Sequence, residues 1–575
     1  MILRALADYY QRLSDEPNVD IAPPGFERKA IDFLVVLNSD GSFNNLRDIR
    51  EGTGSKRKGR ISLVPKSIKR SSGIAANLLW DTAAYIFGVN LSRPERGEEQ
   101  RKAFVERIEK TFNGSSDEGI TAMLSFLKRG EFSGVFSHPM WSDLQDSGGN
   151  ISFILSGEAE LICQRAGVIS DIQESAKSEG QLQTCAVSGE NDVPAELHTA
   201  IKGVWGAQSS GANIVSFNLD AFRSFGKKQG HNAPVGQKSE FAYTTALNYL
   251  LASEKQRMQV GDTSTVFWAK NPCNFESNFL SYLSPKKGEE AVSYENIRGL
   301  LSAVRTGIPA AEVNLAFYVL GLSPNASRIA IRFWYEGNVK EIKERIAQHF
   351  EDIKVVHALR DPEYLSLFQL LVSTAAERKS ANIPPNLGGE VMRAVLSGNA
   401  YPRTLFANAI RRCKAEQDVG FARSAIIKGF LARNARISKS NQQEVSMALD
   451  KTYSNIGYVL GRLFAVFERV QEQAQGSGLN KTIRDTYFGA AASSPLVTFK
   501  RLDDLAIHHL AKIRNSGKST IWLEKLIGEV KNLIPKEGAP HILSLEDQGR
   551  FSVGYYHQRQ DFFTKKDTQD TGGEA

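Results

Sequence analysis

The sequence predicts an α+β protein, with a mixed α/β N-terminal region followed by a C-terminal α-helical bundle. Three observations carry that prediction. Strand-length runs rich in β-branched residues, such as Ile31 to Leu37, fall before about residue 340. Beyond Asn338, apolar residues recur at helical spacing. The chain is also 575 residues long, more than one hydrophobic core can organise. The expected division is 1–340 as an α/β nucleic-acid-binding region, 341–446 as a basic helical region and 447–575 as a helical bundle.

Each element follows from its local pattern. Ile2 to Leu13 reads as a helix, Ala22-Pro23-Pro24-Gly25-Phe26 as a turn, and Ile31 to Leu37 as a strand ending in the hairpin signal Asn38-Ser39-Asp40-Gly41. Phe104, Ile108, Phe112, Ile120 and Leu124 give 98–130 a helical period. Ile151 to Leu155, Thr263 to Ala269 and Ile329 to Tyr335 read as further strands, the last accompanied by Arg328 and Arg332. The stretch from Tyr401 to Asn441 is helical and basic: nine cations, among them Arg423, Lys428, Arg433 and Arg436, face only Glu416 and Asp418. A wet basic face that merely solvates itself is an equal reading of that stretch. After Met447, Tyr453, Ile456, Leu460, Leu463, Phe464, Phe467 and Val470 mark an amphipathic helix, with later helices at Leu502 to Ile513 and Ile521 to Leu533. The tail beyond Gln558 reads as frayed, and no internal repeat or low-complexity tract is present.

A hydrophobic fraction of 41% and a charged fraction of 23% are those of a globular protein. No apolar run is long enough to cross a bilayer, and the opening Met1-Ile2-Leu3-Arg4-Ala5-Leu6 is no signal peptide, so a cytoplasmic protein without membrane association is expected. The four cysteines are scattered without zinc spacing and are expected to be reduced and buried. Net charge is only +7, but it is focused: Gly52 to Trp80 holds Lys56, Arg57, Lys58, Arg60, Lys66, Lys69 and Arg70 and no carboxylate. Interleaved glycines and serines make this stretch read as an arm for phosphates, a solvated loop being the plain alternative.

Cys185 to Leu251 concentrates Gly, Ser, Asn, Gln and Lys, and between Lys202 and Lys238 Asp220 is the only carboxylate. Amides and cations read base edges, and glycine lets backbone approach closely, so the block suits nucleic acid better than a small-molecule pocket. Catalytic patterns fail. Ser516-Gly517-Lys518-Ser519-Thr520 lacks the first glycine of a phosphate-binding loop, since Lys512 stands there. Ser224-Phe225-Gly226-Lys227 has S-x-x-K spacing without its partner motifs, and Ala207-Gln208-Ser209-Ser210-Gly211 lacks the first glycine of a nucleophile elbow. His508-His509 has no carboxylate at ligand spacing, so no metal or other cofactor is expected and the chain is read as non-enzymatic.

These residues resemble one family, the CRISPR-associated large subunit of the type I-C Cascade effector. The resemblance runs through Ala22 to Phe26, the Cys185 to Leu251 block, Gly321-Leu322-Ser323-Pro324-Asn325 with Arg328, Arg332, Phe333 and Trp334, and Pro384 to Arg393. It continues through Arg423 to Lys428, Leu460-Gly461-Arg462-Leu463-Phe464, Thr482 to Asp485 with Tyr487-Phe488-Gly489, and Glu546 to Phe551 with Gly554 to Arg559. Thr486 stands where the family pattern has a second arginine, which removes a cation for phosphate at that point. The resemblance implies a non-catalytic subunit of a guide-RNA complex that recognises a short motif beside the target, helps open duplex DNA and stabilise the R-loop, and helps recruit the helicase-nuclease. Implied partners are guide RNA, target double-stranded DNA, the backbone and guide-end-capping proteins, the small subunit and that helicase-nuclease. It further implies that the gene end encodes the small subunit from an internal start. Gln443-Glu444-Val445 can be encoded by CAG GAG GTN, a ribosome-binding sequence ahead of the Met447 codon, although codon coincidence explains the same residues.

Side-chain chemistry selects three groups for nucleic acid. Gln208, Ser209, Ser210, Gly211 and Asn213 suit a probe of a groove edge. Lys227, Lys228, Gln229 and Asn232 suit phosphate or guide RNA, and Lys56, Arg57, Lys58 and Arg60 suit duplex backbone. The rival readings are a basic protein scaffold that reads no sequence and a nucleic-acid-processing enzyme.

Overall fold

The computed structural model describes residues 2–53, 57–68, 70, 73–175, 180–439, 445–476 and 481–563. It is α+β, with strands before Val339 and helices after it. The chain forms two compact units, Met1–Thr199 with Val215–Tyr249, and Ala200–Ile214 with Leu250–Ala575.

The first unit is built on a four-stranded sheet. Strands β1 (Phe26–Ile31) and β2 (Phe33–Leu37) divide the expected Ile31 to Leu37 strand at Asp32. There the Asp32 and Phe33 N–H groups both donate to Asn150 O. Strand β2 pairs with β3 (Phe43–Asp48) through the expected hairpin, closed by the Gly41 N–H on Asn38 O. β4 (Arg60–Pro65) pairs antiparallel with β1. β5 (Trp80–Asp81) and β6 (Ile151–Leu155) complete the sheet in the order β3-β2-β6-β5, with β2 and β6 parallel. The short pair β7 (Gln183–Thr184) and β8 (Asn191–Asp192) stands apart. Strands β2 and β6 are buried throughout, which is why both read as continuous apolar runs. The 98–130 period resolves into two helices, Gly97–Thr111 and Glu118–Arg129. Between them Gly114 adopts φ +83°, and the Asp117 carboxylate accepts the Ile120 N–H to start the second helix.

The second unit has an antiparallel sheet in the order β12-β11-β10-β9: β9 (Arg257–Val260), β10 (Thr263–Ala269), β11 (Ala316–Asn325) and β12 (Arg328–Asn338). Its helices pack on the face carrying Phe267, Phe317, Phe333 and Tyr335. Arg332 sits at a register shift, since Gly321 opposes Phe333 while Leu322 opposes Ile331. Helix Leu387–Ser397 meets this sheet through Gly388, where any Cβ would lie 2.6 Å from Val260 O. Within the Pro384 to Arg393 motif, Gly388 is thereby a packing residue.

The helices Arg403–Glu416 and Phe421–Ile437 turn much of their charge inward. Arg423, Lys428 and Arg433 are buried. Arg433 donates to Asp352 at 2.7 Å and to Ala394 O at 3.0 Å, and lies 4.0 Å above the Tyr401 ring. Arg436 grips the same carboxylate through two 2.8 Å bonds. Burial alone would raise the Asp352 pKa, yet the two guanidiniums hold it below its ordinary value. Arg423 bonds Glu416 and the Ser373 and Asp418 carbonyls, and Lys428 donates to Glu351 O. In this stretch the expectation of a wet basic face is met only by the outer residues, such as Arg403, Arg411 and Lys439.

Helix Ile456–Gln475 is the axis of the C-terminal bundle and lies against Leu545–Asp561. A Cβ at Gly457, Gly461 or Gly554 would overlap the carbonyls of Asp547, Phe551 or Tyr458, so the two backbones touch directly. The bundle continues into the preceding helices: Gly549 faces Phe406 and Ile427, Lys414 donates to Ser493 and Gln548, and the Met447 carbonyl accepts the Val356 N–H. A chain beginning at Met447 would therefore expose the face that Phe406, Ile427 and Lys414 cover here. Gln443 and Glu444 lie outside the described residues.

This packing makes stability sensitive to a single arginine and to pH. Replacing Arg433 with Met leaves three acceptors short of a donor and should cost about 3–5 kcal/mol in urea unfolding. Buried His349 and His557 share hydrogen bonds with the Tyr401 and Tyr458 hydroxyls, and burial pushes their pKa values down to about 3 and about 4. The unfolded chain thus takes up these protons first, near the ordinary histidine pKa of about 6.5. Stability should be complete above that pH and fall as pH drops toward about 4, as urea midpoints measured across that range would show.

Candidate nucleic-acid interface

In the first unit, the described part of the basic arm runs from the connection after β3 through β4 (Arg60–Pro65). Glu51 and Lys58 exchange backbone hydrogen bonds of 2.8 and 2.9 Å, and Gly59 fits where a Cβ would lie 2.8 Å from Ile31 O. Lys56 and Lys69 lie outside the described residues. Arg57 is 2.8 Å from Asp48, which Arg50 also holds in a bidentate pair while stacking 4.5 Å from the Phe33 ring. The Arg50 hydrogen bonds, aided by Arg57, keep the Asp48 carboxyl below its ordinary pKa. Lys66 pairs with Glu240 at 3.2 Å, and Arg70 pairs with buried Asp81 while covering the Tyr85 ring at 4.0 Å. Three of the seven cations therefore serve the fold. Lys58 and Arg60 are exposed and have no carboxylate partner among the described residues.

The same unit carries a turn from Arg223 to Asn232. The Lys227 N–H donates to Ser224 O at 3.0 Å, and the Ser224 N–H donates to Asn232 Oδ1 at 2.9 Å. The Asn232 amide donates in turn to Lys227 O and Gln229 O, at 3.3 and 2.9 Å. Asn232 thus shapes the turn, while Lys227 and Lys228 project into solvent and Gln229 is half-buried. The turn is anchored on the 195–196 segment, whereas Arg57 and Gly59 of the basic arm meet β3 and the end of β1, and Lys66 meets Glu240.

In the second unit, Ile201 and Ala212 exchange backbone bonds of 2.8 and 3.0 Å and close a loop. At its end Gln208 to Gly211 make a tight turn, the Gly211 N–H donating to Gln208 O at 2.9 Å with Gly211 at φ +90°. A Cβ on Gly211 would lie 2.8 Å from Ile201 O. Gln208, Ser209 and Ser210 are exposed together. Asn213 is not on that tip: its carbonyl accepts the Ile329 N–H at 3.0 Å, so its backbone is committed to β12. Trp205, 60% exposed, occupies the same loop, its backbone N–H donating to Ser264 Oγ at 2.9 Å. Trp205 and Phe225 are exposed aromatics that residue type alone does not select, because aromatics in a sequence first suggest core. The signal for each is its setting among glycines and polar residues without an apolar period.

These loops offer amides, cations and aromatic faces, which can bind phosphates and stack bases. Among the described residues, no three His, Cys, Asp or Glu side chains converge on a metal position, and no helix is long and apolar enough to cross a membrane. Replacing Lys58 and Arg60 together should lower the salt slope of DNA binding by about 0.9 for each phosphate no longer neutralised, whereas Arg57→Ala should change it less because Asp48 already shares that charge. The readout is affinity across a salt titration.

Over residues 6–563 the chain matches the family model described as CRISPR-associated protein (Cas_Csd1). No curated protein matches it.

Proposed function

The chain belongs to the CRISPR-associated protein (Cas_Csd1) family, and from that premise we propose that it is the non-catalytic large subunit of a type I-C Cascade. In this reading it recognises the motif flanking the target in duplex DNA, helps open the duplex and stabilise the R-loop, and helps recruit the helicase-nuclease. It works with guide RNA, the backbone and guide-end-capping proteins and the small subunit. The observation that carries the reading is the exposed Gln208-Ser209-Ser210-Gly211 turn, presented on a loop closed by paired backbone bonds.

The division of labour is physically reasonable. Guide pairing reads the target, so the protein needs few base contacts. A glutamine amide offers a donor and an acceptor to a base edge, and the serines offer hydroxyls of either sense. Opening duplex costs about 1.4 kcal/mol per base step, largely returned by the heteroduplex. Two or three captured phosphates at Lys58, Arg60, Lys227 or Lys228 suffice to tip such a balance.

The test compares guide-loaded complexes with and without this chain on targets whose flanking duplex is intact or scrambled. Discrimination should require the chain, and Gln208→Ala should reduce it by about 1–3 kcal/mol for each base edge it reads while leaving non-specific binding in place. Discrimination that persists without the chain would assign motif reading to another subunit.

A further inference from the structure

Phe225 is 97% exposed and holds φ +50°, a backbone region that L residues with bulky side chains avoid. Gly226 follows at φ +71° and Gln229 at +46°. The turn that imposes this geometry is firmly built. Besides the Asn232 brace, the Gly230 N–H donates to Glu196 O at 3.1 Å, and a Cβ on Gly230 would overlap Ala195 O. Its base is thus anchored while its tip holds an aromatic ring out in water. Strain maintained by surrounding structure at an exposed position is a pointer to function.

The chemistry around the ring narrows the ligand. Lys227 and Lys228 are exposed beside it, and Asp220, the only carboxylate from Lys202 to Lys238, is occupied by Arg223 at 2.7 Å. A docking site for a protein needs a contiguous apolar patch, but the sequence neighbours here are Ser224, Gly226 and lysines. One exposed ring beside free cations is the pattern that stacks a base and holds its phosphates.

We propose that Phe225 is a stacking post for an unpaired nucleobase, with Lys227 and Lys228 holding the adjoining phosphates. This rests on the reading of the chain as a nucleic-acid-binding subunit and adds the residue and the ligand's state, single-stranded rather than paired. Guide RNA and an opened DNA strand share that chemistry, and the experiment separates them.

The guide-loaded complex is assembled with wild-type chain, Phe225→Ala, Phe225→Trp or Phe225→Leu, and 2-aminopurine is placed at successive positions in the DNA strands or, in a second arm, in the guide. Wild type and Phe225→Trp should quench the probe at a particular position, and Phe225→Ala and Phe225→Leu should not. The arm that responds identifies the strand. With the full chain alone, Phe225→Ala should weaken single-stranded oligonucleotide binding roughly tenfold without altering the thermal midpoint, since the ring supports no core. Identical fluorescence for all four chains at every labelled position would overturn the proposal. Intact flanking-motif discrimination with no Phe225-dependent quenching would overturn stacking alone. Phe225-dependent quenching without discrimination would retain stacking and remove motif reading.

Discussion

The second unit depends on one buried carboxylate. Asp352, at the end of the helix that follows β12, is gripped by Arg433 and Arg436, and Arg433 also reaches the Ala394 and Asn399 carbonyls and the Tyr401 ring. Four chain segments are thereby oriented around a single charge. A buried ion pair adds little net stability over an apolar substitute, but breaking it leaves an uncompensated charge. It therefore fixes which way the Phe421–Ile437 helix faces, and with it how much positive charge reaches the surface.

The glycines divide into two physical classes. Gly388, Gly461, Gly549 and Gly554 permit backbone or ring to pack where a Cβ would collide, and each lies in a motif that carries the family resemblance. Gly226 instead supplies positive φ at an exposed turn, with nothing near its Cβ position. Resemblance by itself does not separate the two classes; the Cβ environment does.

Much of the fold is legible in the sequence because burial leaves a periodic trace. β10 occupies the expected Thr263–Ala269 and β6 the expected Ile151–Leu155. Helix Ile2–Asp15 and the helices after Asn338 likewise follow their apolar spacing. Pairing leaves no such trace. Glu240 reaches Lys66 from 174 positions away and Asp352 reaches Arg433 from 81, so the charge runs read as surface while part of each is internal. The Gln208 turn is legible from its composition. Asn213 belongs with it by sequence proximity alone, and its backbone instead pairs with Arg328 at the start of β12. The Asn232 amide looks like a ligand for phosphate or guide RNA, yet it braces its own turn.

Whether the buried arginines hold the fold while three exposed loops meet nucleic acid is tested most directly by amide hydrogen exchange of the guide-loaded complex, with and without target DNA. New protection is expected in 57–60, 203–211 and 223–232, with unchanged exchange in 421–437. Protection concentrated in 421–437, with the three loops unaffected, would contradict that division.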